Sequence, residues 1–448
     1  MNRIFGTDGI RGRANQAPMT PDMLTRIAQA AGRLMAAQGR ETRVLIGKDT
    51  RISGYMIENA LVAGFTSVGM DVSLTGPLPT PGIAMLTRSL RADLGVMISA
   101  SHNPYQDNGI KFFGPDGAKL GDAQIDAIEA MLADGAPVPP LGDEIGHARR
   151  IDGAVERYGE FAKRAFPRDL RLDGMKIVVD AAHGAAFRVA PQVIWELGAE
   201  VVSIASQPDG RNINADCGST APQRAQQAVI DEGADLGIAL DGDADRVHLI
   251  DQRGRLIDGD QLMALIGEQA AAAGTLRAGT VVATIMSNLG LERHLIGRGI
   301  ALARTRVGDR HVAEEMQRIG ANVGGEQSGH IILSDFSTSG DGLIAALQAL
   351  AAMARSGAPA SEVLHRFEPL PQSHRNVRIQ PGARPMDEPA FGAAIRSAQD
   401  VLGARGRIVV RPSGTEPMIR IMAEGEDAAM IDQITRSLAG LIAVPQTM

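Results

Sequence analysis

Short aliphatic runs recur along this chain, each broken by a polar loop and followed by a stretch of helical periodicity. Val44-Leu45-Ile46 reads as a strand and Gly47-Lys48-Asp49-Thr50-Arg51 as the loop after it. Residues 54–68 follow as a helix stopped by Gly69, and residues 71–74 as a second strand. An earlier helix is predicted over 21–38, with Thr20 placed to cap it, Pro21 at its first position and Gly39 past its end. The same order returns at 176–179, with a helix to about Leu197 and a strand at 201–204. It returns again at 281–284, with a helix ending near 297–299 and a strand at 300–303. Strand, loop, helix, strand is the signature of a parallel sheet.

The copies agree further on. Ala92-Asp93-Leu94-Gly95-Val96-Met97-Ile98-Ser99 matches Ala234-Asp235-Leu236-Gly237-Ile238-Ala239-Leu240-Asp241, and Gly320-Ala321-Asn322-Val323-Gly324-Gly325-Glu326 is a looser partner. Three related α/β units thus place polar loops holding Ser101, Asp241 and Glu326 at one corresponding strand end. Ligands of open α/β folds collect at the carboxyl ends of strands. Pro137-Val138-Pro139-Pro140 and the charged stretch to Arg150 read as a connector, with further breaks at 252–258 and 369–374. The expected α/β domains are 1–150, 151–255 and 256–370. Residues 371–448 differ in kind: strands near 375–379, 407–410 and 418–422 with helical patches between predict a smaller C-terminal α+β domain.

Composition narrows the function. The 448 residues are 44% hydrophobic and only 3% aromatic, so several aliphatic cores are expected. A net charge of −7 argues against a general nucleic-acid or anionic-membrane binder. Cys217 is the only cysteine, which excludes an intramolecular disulfide. The first residues lack the apolar core of a signal peptide, and no uncharged apolar run reaches the ~18 residues of a spanning helix. The expected location is the cytoplasm.

Leu94-Gly95-Val96-Met97-Ile98 reads as a buried strand, and Ser99-Ala100-Ser101-His102-Asn103-Pro104 as its loop. A hydroxyl there can act as nucleophile or carry a phosphoryl group, or merely make turn hydrogen bonds. Between the strands 238–240 and 247–250 lie Asp241-Gly242-Asp243-Ala244-Asp245-Arg246. Three carboxylates at alternate positions of a tight loop can converge on one hard cation, Mg²⁺ or Ca²⁺. An EF-hand is excluded, because Arg246 and Gln252 stand where Gly and Glu are required. In Gly325-Glu326-Gln327-Ser328-Gly329-His330, Glu326 and Ser328 suit sugar hydroxyls. His330 there is either an acid or base, or a hydrogen-bonded surface residue. Arg411-Pro412-Ser413-Gly414-Thr415-Glu416-Pro417, with Arg420 beyond, suits a phosphate. Arg11 and Arg13 are further anion candidates, and Lys111 has the ordinary reading of a surface lysine. No P-loop motif is present. Gly340-Asp341-Gly342-Leu343-Ile344-Ala345 fits the loose dinucleotide pattern, but is read as the start of a helix.

The serine, aspartate, Glu326 and Arg411 motifs occur in the order seen in the α-D-phosphohexomutase superfamily, which the chain resembles over nearly its full length. Phe5-Gly6-Thr7-Asp8-Gly9-Ile10-Arg11-Gly12 and the stretch 98–113 resemble most closely the bacterial branch acting on glucosamine phosphates. The resemblance implies three α/β domains around a central cleft closed by the fourth. It implies interconversion of glucosamine 6-phosphate and glucosamine 1-phosphate, feeding UDP-N-acetylglucosamine synthesis for the cell wall. Ser101 would be a phosphoserine, and Asp241, Asp243 and Asp245 would hold one Mg²⁺ with a phosphoserine oxygen. Glu326 and Ser328 would grip the sugar; Arg411, Ser413, Gly414, Thr415 and Arg420 would grip the phosphate that is not transferring.

Residues and resemblance together suggest phosphoryl transfer through glucosamine 1,6-bisphosphate, with charge from Mg²⁺, Arg246 and Arg11. Lys111 and His330 are the candidates for proton transfer, and the last domain is expected to move as a lid. The partner is a small-molecule sugar phosphate, with neither nucleic acid nor membrane; a homodimer is the candidate assembly. The alternatives are a phosphoglucomutase or phosphomannomutase, and a non-catalytic sugar-phosphate binding protein.

Overall fold

The computed structural model describes residues 3–6, 8–36, 42–135, 142–380, 382–413 and 417–442. Four sheets follow one another along the chain. The first has the strand order Ile10–Arg13, Asp107–Phe113, Leu94–Ile98, Arg43–Lys48, Asp71–Pro77, Ala148–Arg150. The second runs Leu256–Ile257, Val247–Asp251, Leu236–Leu240, Lys176–Asp180, Glu200–Ile204. The third runs Ala301–Thr305, Thr280–Thr284, Val323–Gly325, Ile331–Leu333.

Each of these three sheets contains the same unit. A first strand lies between the second and third, all parallel. The next strand then returns antiparallel to the third. The serine, aspartate and glutamate loops therefore occupy one equivalent place, the turn out of the third strand. Parallel neighbours need a crossover. The helices Thr80–Ser89, Gln223–Glu232 and Asp309–Ile319 supply it between second and third strands, where the sequence alone suggested none.

The strand Leu94–Ile98 is buried along its whole length, as its unbroken apolar run requires when both faces are covered. The helix Gly342–Ser356 is apolar around nearly all its circumference and has 11 of its 15 residues buried. Its Asp341 cap accepts from Ile344 N, so the glycines at 340–342 open a helix, as expected. One apolar core runs from Leu45 and Phe113 through Ile177 and Ile238 to Val281 and Val323, with Leu347 and Leu350 in it. The three α/β units are thus fused.

The fourth sheet is antiparallel, in the order Gln372–Arg378, Met418–Gly425, Gly406–Pro412. The helices Pro389–Leu402 and Ala428–Ile442 cover it, the second lying after the last strand rather than between strands. It has its own small core of Phe391, Ile419, Ile421, Leu438 and Ile442. Asn288 clasps both backbone groups of Leu370 at its joint with the third unit, at 2.9 and 3.0 Å.

Two stretches read as connecting chain are ordered structure. Ala148–Arg150 adds a parallel edge strand to Asp71–Pro77, whose outer side is otherwise open. Residues 252–258 form a hairpin that pairs Leu256 and Ile257 with Ile250 and Leu249. Pro137-Val138-Pro139-Pro140 and Gly39 lie outside the described residues. Among the described residues, no helix is long and apolar enough to cross a membrane.

Candidate active site

Strands 43–48 and 94–98 are adjacent and parallel, so the loops leaving their carboxyl ends meet. Arg51, fully buried, is their joint. Its guanidinium pairs with Asp49 at 2.9 Å and donates to the carbonyls of Ser101, Asn103 and Pro104 at 2.8, 2.8 and 2.6 Å. A buried cation persists only when compensated in this way. Asp49 also accepts from Ser99 Oγ at 2.7 Å, and Ser99 Oγ accepts from the Ser101 amide at 2.8 Å. Ser101 is thereby held at φ +52°, an uncommon conformation for a residue with a side chain.

The aspartate loop arrives from the second sheet. Gly242 passes so close that a Cβ there would lie 2.6 Å from the Ser101 carbonyl oxygen. Ser101 Oγ then donates to Asp241 Oδ2 at 2.6 Å, and Arg246 N donates to the other oxygen at 3.1 Å. Thr80, at the start of its helix, donates to Asp243 from Oγ1 at 2.6 Å and from its amide to the Asp243 carbonyl at 2.9 Å.

Asp241, Asp243 and Asp245 are all buried, and one oxygen of each lies within 4.8 Å of the others. Oδ1 of Asp243 and Oδ1 of Asp245 are buried without a hydrogen-bond partner. Convergent, unused carboxylate oxygens are what a hard divalent cation such as Mg²⁺ takes, so the residues present fit that ion. The electrostatics point the same way. Burial, then the carboxylates of Asp245 and Asp243, push the Asp241 carboxyl up to about 8. Burial also works to raise Asp245, but Lys111 and His330 outweigh it and hold it well below the usual carboxylate range.

Lys111 is not a surface lysine. It is 1% exposed, with Nζ 2.8 Å from Asp243 and 2.9 Å from Asp245. Burial opposes its charge, yet those two carboxylates and Asp8 raise its pKa well above the ordinary value. Lys111 stands opposite Met97 of the buried strand 94–98, in a strand whose residues 108–113 are all buried. His330 is also buried rather than at the surface. Its Nδ1 is 3.6 Å from Asp245 and its Nε2 3.4 Å from Asp309. Gly340 N lies 3.2 Å from Nε2; burial opposes the ring's charge, but Asp245 and then Asp309 outweigh it and raise its pKa.

Arg11 pairs with Asp8, which Lys119 also engages while reaching Asp309. Arg246 Nε is 3.9 Å from Asp245 Oδ1 and donates to nothing. Glu326 is buried and accepts from Gly308 N at 3.1 Å; Ser328 is half-buried in the same turn. That turn is tied to the aspartate loop by Val247 N donating to Gly329 O at 3.1 Å. Arg411 and Arg420 are cross-strand partners lining a cavity of about 190 Å³. Burial and then Arg420 depress the pKa of Arg411, and Arg420 Nε is buried without a partner. Ser413 N donates to Met418 O at 2.8 Å; Gly414 and Thr415 lie outside the described residues.

Sequence reasoning missed several neighbours. His102 Nδ1 sits 3.2 Å from Ser101 Oγ; burial, then Arg246 and Arg11, lower its pKa to about 4, so the ring is neutral. Asp49 and Arg51 were visible as a polar loop after a strand, but nothing in their spacing marked them as a brace. Asn214, in an irregular loop, donates to the Ser101 and Asn103 carbonyls.

The chain matches the four family models of phosphoglucomutase/phosphomannomutase in order: alpha/beta/alpha domain I over residues 2–137, domain II over 156–254, domain III over 258–370 and the C-terminal domain over 375–441. It is 58% identical over 442 residues to the phosphoglucosamine mutase of Allorhizobium ampelinum, covering 98% of each chain. It is 57% identical over 446 residues to that of Rhizobium leguminosarum bv. trifolii, covering 99% of each. Among solved structures, a phosphoglucomutase/phosphomannomutase family protein from Burkholderia thailandensis shares the fold with TM-score 0.82 at 24% identity, over 98% of this chain and 96% of that one. The N-acetylphosphoglucosamine mutase of Aspergillus fumigatus, solved with GlcNAc-6P and magnesium, shares it with TM-score 0.68 at 19% identity, over 98% and 95%. With all four domain models in order and more than half its residues shared end to end with such enzymes, the chain belongs to the phosphoglucomutase/phosphomannomutase family and, within it, to the phosphoglucosamine mutases.

Proposed function

We propose that this phosphohexomutase interconverts glucosamine 6-phosphate and glucosamine 1-phosphate by lending and recovering a phosphoryl group carried on Ser101. The observation that carries the reading is the buried Ser101 Oγ, 2.6 Å from Asp241 within a cluster of three carboxylates. In the first transfer the bond from phosphorus to Ser101 Oγ breaks and a bond to the free sugar hydroxyl forms, while that hydroxyl gives its proton to a base. The product is glucosamine 1,6-bisphosphate. It turns end for end, and its other phosphoryl group returns to Ser101 Oγ as the bond from that phosphorus to the sugar oxygen breaks and the oxygen takes up a proton.

Asp241, Asp243, Asp245 and a phosphoserine oxygen would hold Mg²⁺, which when bound supplies charge neutralisation at the transferring group. Arg246 and Arg11 add fixed positive charge there. Of the candidates for proton transfer, Lys111 is held as a cation and can only give a proton. His330 faces Asp245 rather than Ser101. His102, neutral and against Ser101 Oγ, is a third candidate.

Glu326 and Ser328 orient the sugar. Arg411, Ser413, Gly414, Thr415 and Arg420 grip the remote phosphate, whose binding energy is used for positioning. The cavity between Arg411 and Arg420 and the unused Arg420 Nε support that role. The domains we propose, 1–150, 151–255, 256–370 and 371–448, contribute one loop each, and the fourth moves as a lid. We place the reaction in the cytoplasm, with which the free Cys217 accords.

Intact mass and peptide mapping should find phosphate on Ser101, and Ser101→Ala should lose about 10⁴-fold or more in kcat. Full activity in that variant would sink the proposal. Turnover of glucosamine, glucose and mannose phosphates on one preparation separates this reading from a phosphoglucomutase or phosphomannomutase.

A further inference from the structure

The serine loop and the aspartate loop belong to different sheets, and the transfer depends on their register. Among the described residues, one side chain of the second unit reaches across to the backbone of Ser101 itself. Asn214 donates from Nδ2 to the Ser101 carbonyl at 2.9 Å and to the Asn103 carbonyl at 3.1 Å. Its own amide is fixed on the second unit, donating to Ala182 O at 2.9 Å. Arg51 binds the same two carbonyls from within the first unit. The Ser101 carbonyl is therefore gripped from both sides of the domain boundary.

The grip is aimed. Asn214 Oδ1 is buried and accepts nothing, so the amide serves here only as a donor. Asn214 sits at φ +58°, a conformation that Asn tolerates better than most residues. A Cβ on Gly242 would lie 2.9 Å from Asn214 Nδ2 and 2.6 Å from Ser101 O. Amide, serine carbonyl and aspartate-loop backbone are thus stacked in direct contact. The left-handed turn at Ser101 is costly, and such a conformation persists where its surroundings over-determine it.

We infer that Asn214 is a positioning residue for the phosphoryl transfer, registering the Ser101 backbone against the Asp241 loop without touching the reacting hydroxyl or the three carboxylates. The inference rests on the reading of Ser101 as the phosphoryl carrier.

Asn214→Gly tests it, because glycine accepts the positive φ while the side-chain amide is lost. On the full-length enzyme kcat should fall about 10- to 100-fold, the scale of a small misplacement of reacting groups. KM for glucosamine 6-phosphate and the half-saturating Mg²⁺ concentration should stay within about two-fold, and Tm within a few degrees. Asn214→Asp keeps the shape and turns acceptors toward both carbonyls, so its kcat should fall at least as far. Unchanged kcat in both variants overturns the inference. So does a loss of kcat matched by a rise in KM and a collapse of Tm, since the amide would then hold the fold rather than the geometry. Ser101→Ala assayed alongside separates the two failures. An active Ser101→Ala defeats the phosphoserine reading, whereas an inactive Ser101→Ala beside a fully active Asn214→Gly defeats only the role of Asn214.

Discussion

The two ends of the site are built on opposite plans. At the serine end, Ser101 and the three aspartates are buried, and the cluster is braced from more than one unit: Arg51 and Asn214 on the Ser101 carbonyl, Thr80 and Lys111 on Asp243, His330 beside Asp245. The three sheets share one apolar core, and a second core packs the other face of the strands that carry the serine loop. At the gripping end, Arg411 and Arg420 are half-buried on a three-stranded sheet with a separate small core, joined to the body near Leu370. In-line transfer demands fixed distances, whereas an intermediate that must turn over demands a holder that can loosen. Under the proposed mechanism, rigidity would fall where the bond changes, and freedom where the substrate is only held.

If that division is right, damage at the two ends should register in different constants. Asp243→Asn removes charge from the carboxylate cluster and should lower kcat about 10³-fold, with excess Mg²⁺ failing to restore it. A chelator should abolish turnover of the unmodified enzyme and added Mg²⁺ should return it; full activity after thorough chelation would remove the metal from the scheme. At the other end, Arg420→Ala loses a charge-assisted contact to the remote phosphate, typically about 1.5–3 kcal/mol. Its KM should rise roughly 10- to 100-fold while kcat changes less. A variant at Arg420 that lost only kcat would erase the distinction between the ends.

The joint between them offers a finer probe. Glu424, fully buried, pairs with Arg407 and accepts from Leu289 N at 3.1 Å and from Gln372 Nε2 at 2.8 Å. Arg407 in turn donates to Ser287 O at 2.6 Å. Glu424→Gln weakens this clasp without opening a cavity. KM should move by less than about three-fold, but more bisphosphate should escape per turnover, read as free glucosamine 1,6-bisphosphate in the medium. Escape equal to that of the unmodified enzyme would show that the clasp does not govern closure.

The same contrast explains what was legible in the chain. The aspartate loop could be read directly, because alternate carboxylates between two buried strands have few other uses. The repeated units could be read because parallel strands impose a fixed order of strand, helix and strand. Lys111 stood among the catalytic candidates, but its burial was not legible: it comes from the partner strand 94–98 and from carboxylates of another unit, and neither leaves a mark on residues 108–113. Asn214 and Arg51 act through backbone carbonyls, whose positions are set by the fold rather than by any side-chain pattern. His102 stood in the motif, but only the left-handed turn at Ser101 brings its ring back onto the hydroxyl. The edge strand 148–150 was hidden because its three exposed residues, Ala148, Arg149 and Arg150, carry no alternation.

A last prediction concerns the body alone and should leave both kinetic ends untouched. Asp341 caps the central helix and accepts from Tyr158 OH at 3.0 Å through the same oxygen that takes Ile344 N. Its other oxygen is buried with no partner, and burial pushes this carboxyl up to about 6. The folded chain therefore holds a proton here that the unfolded chain, with an ordinary value near 3.8, releases earlier. Stability from this group is present below about pH 4 and is lost as pH rises through about 6. Asn at this position keeps the accepting oxygen and cannot ionise. Asp341→Asn should thus gain on the unmodified protein between pH 4 and 7, by roughly 2–3 kcal/mol at most, seen as a Tm difference of a few degrees that widens with pH. Its kcat and KM should match those of the parent. A Tm difference that stays constant across that range would mean Asp341 is as readily ionised in the fold as in the open chain, and that the body tolerates a bare buried carboxylate beneath its central helix.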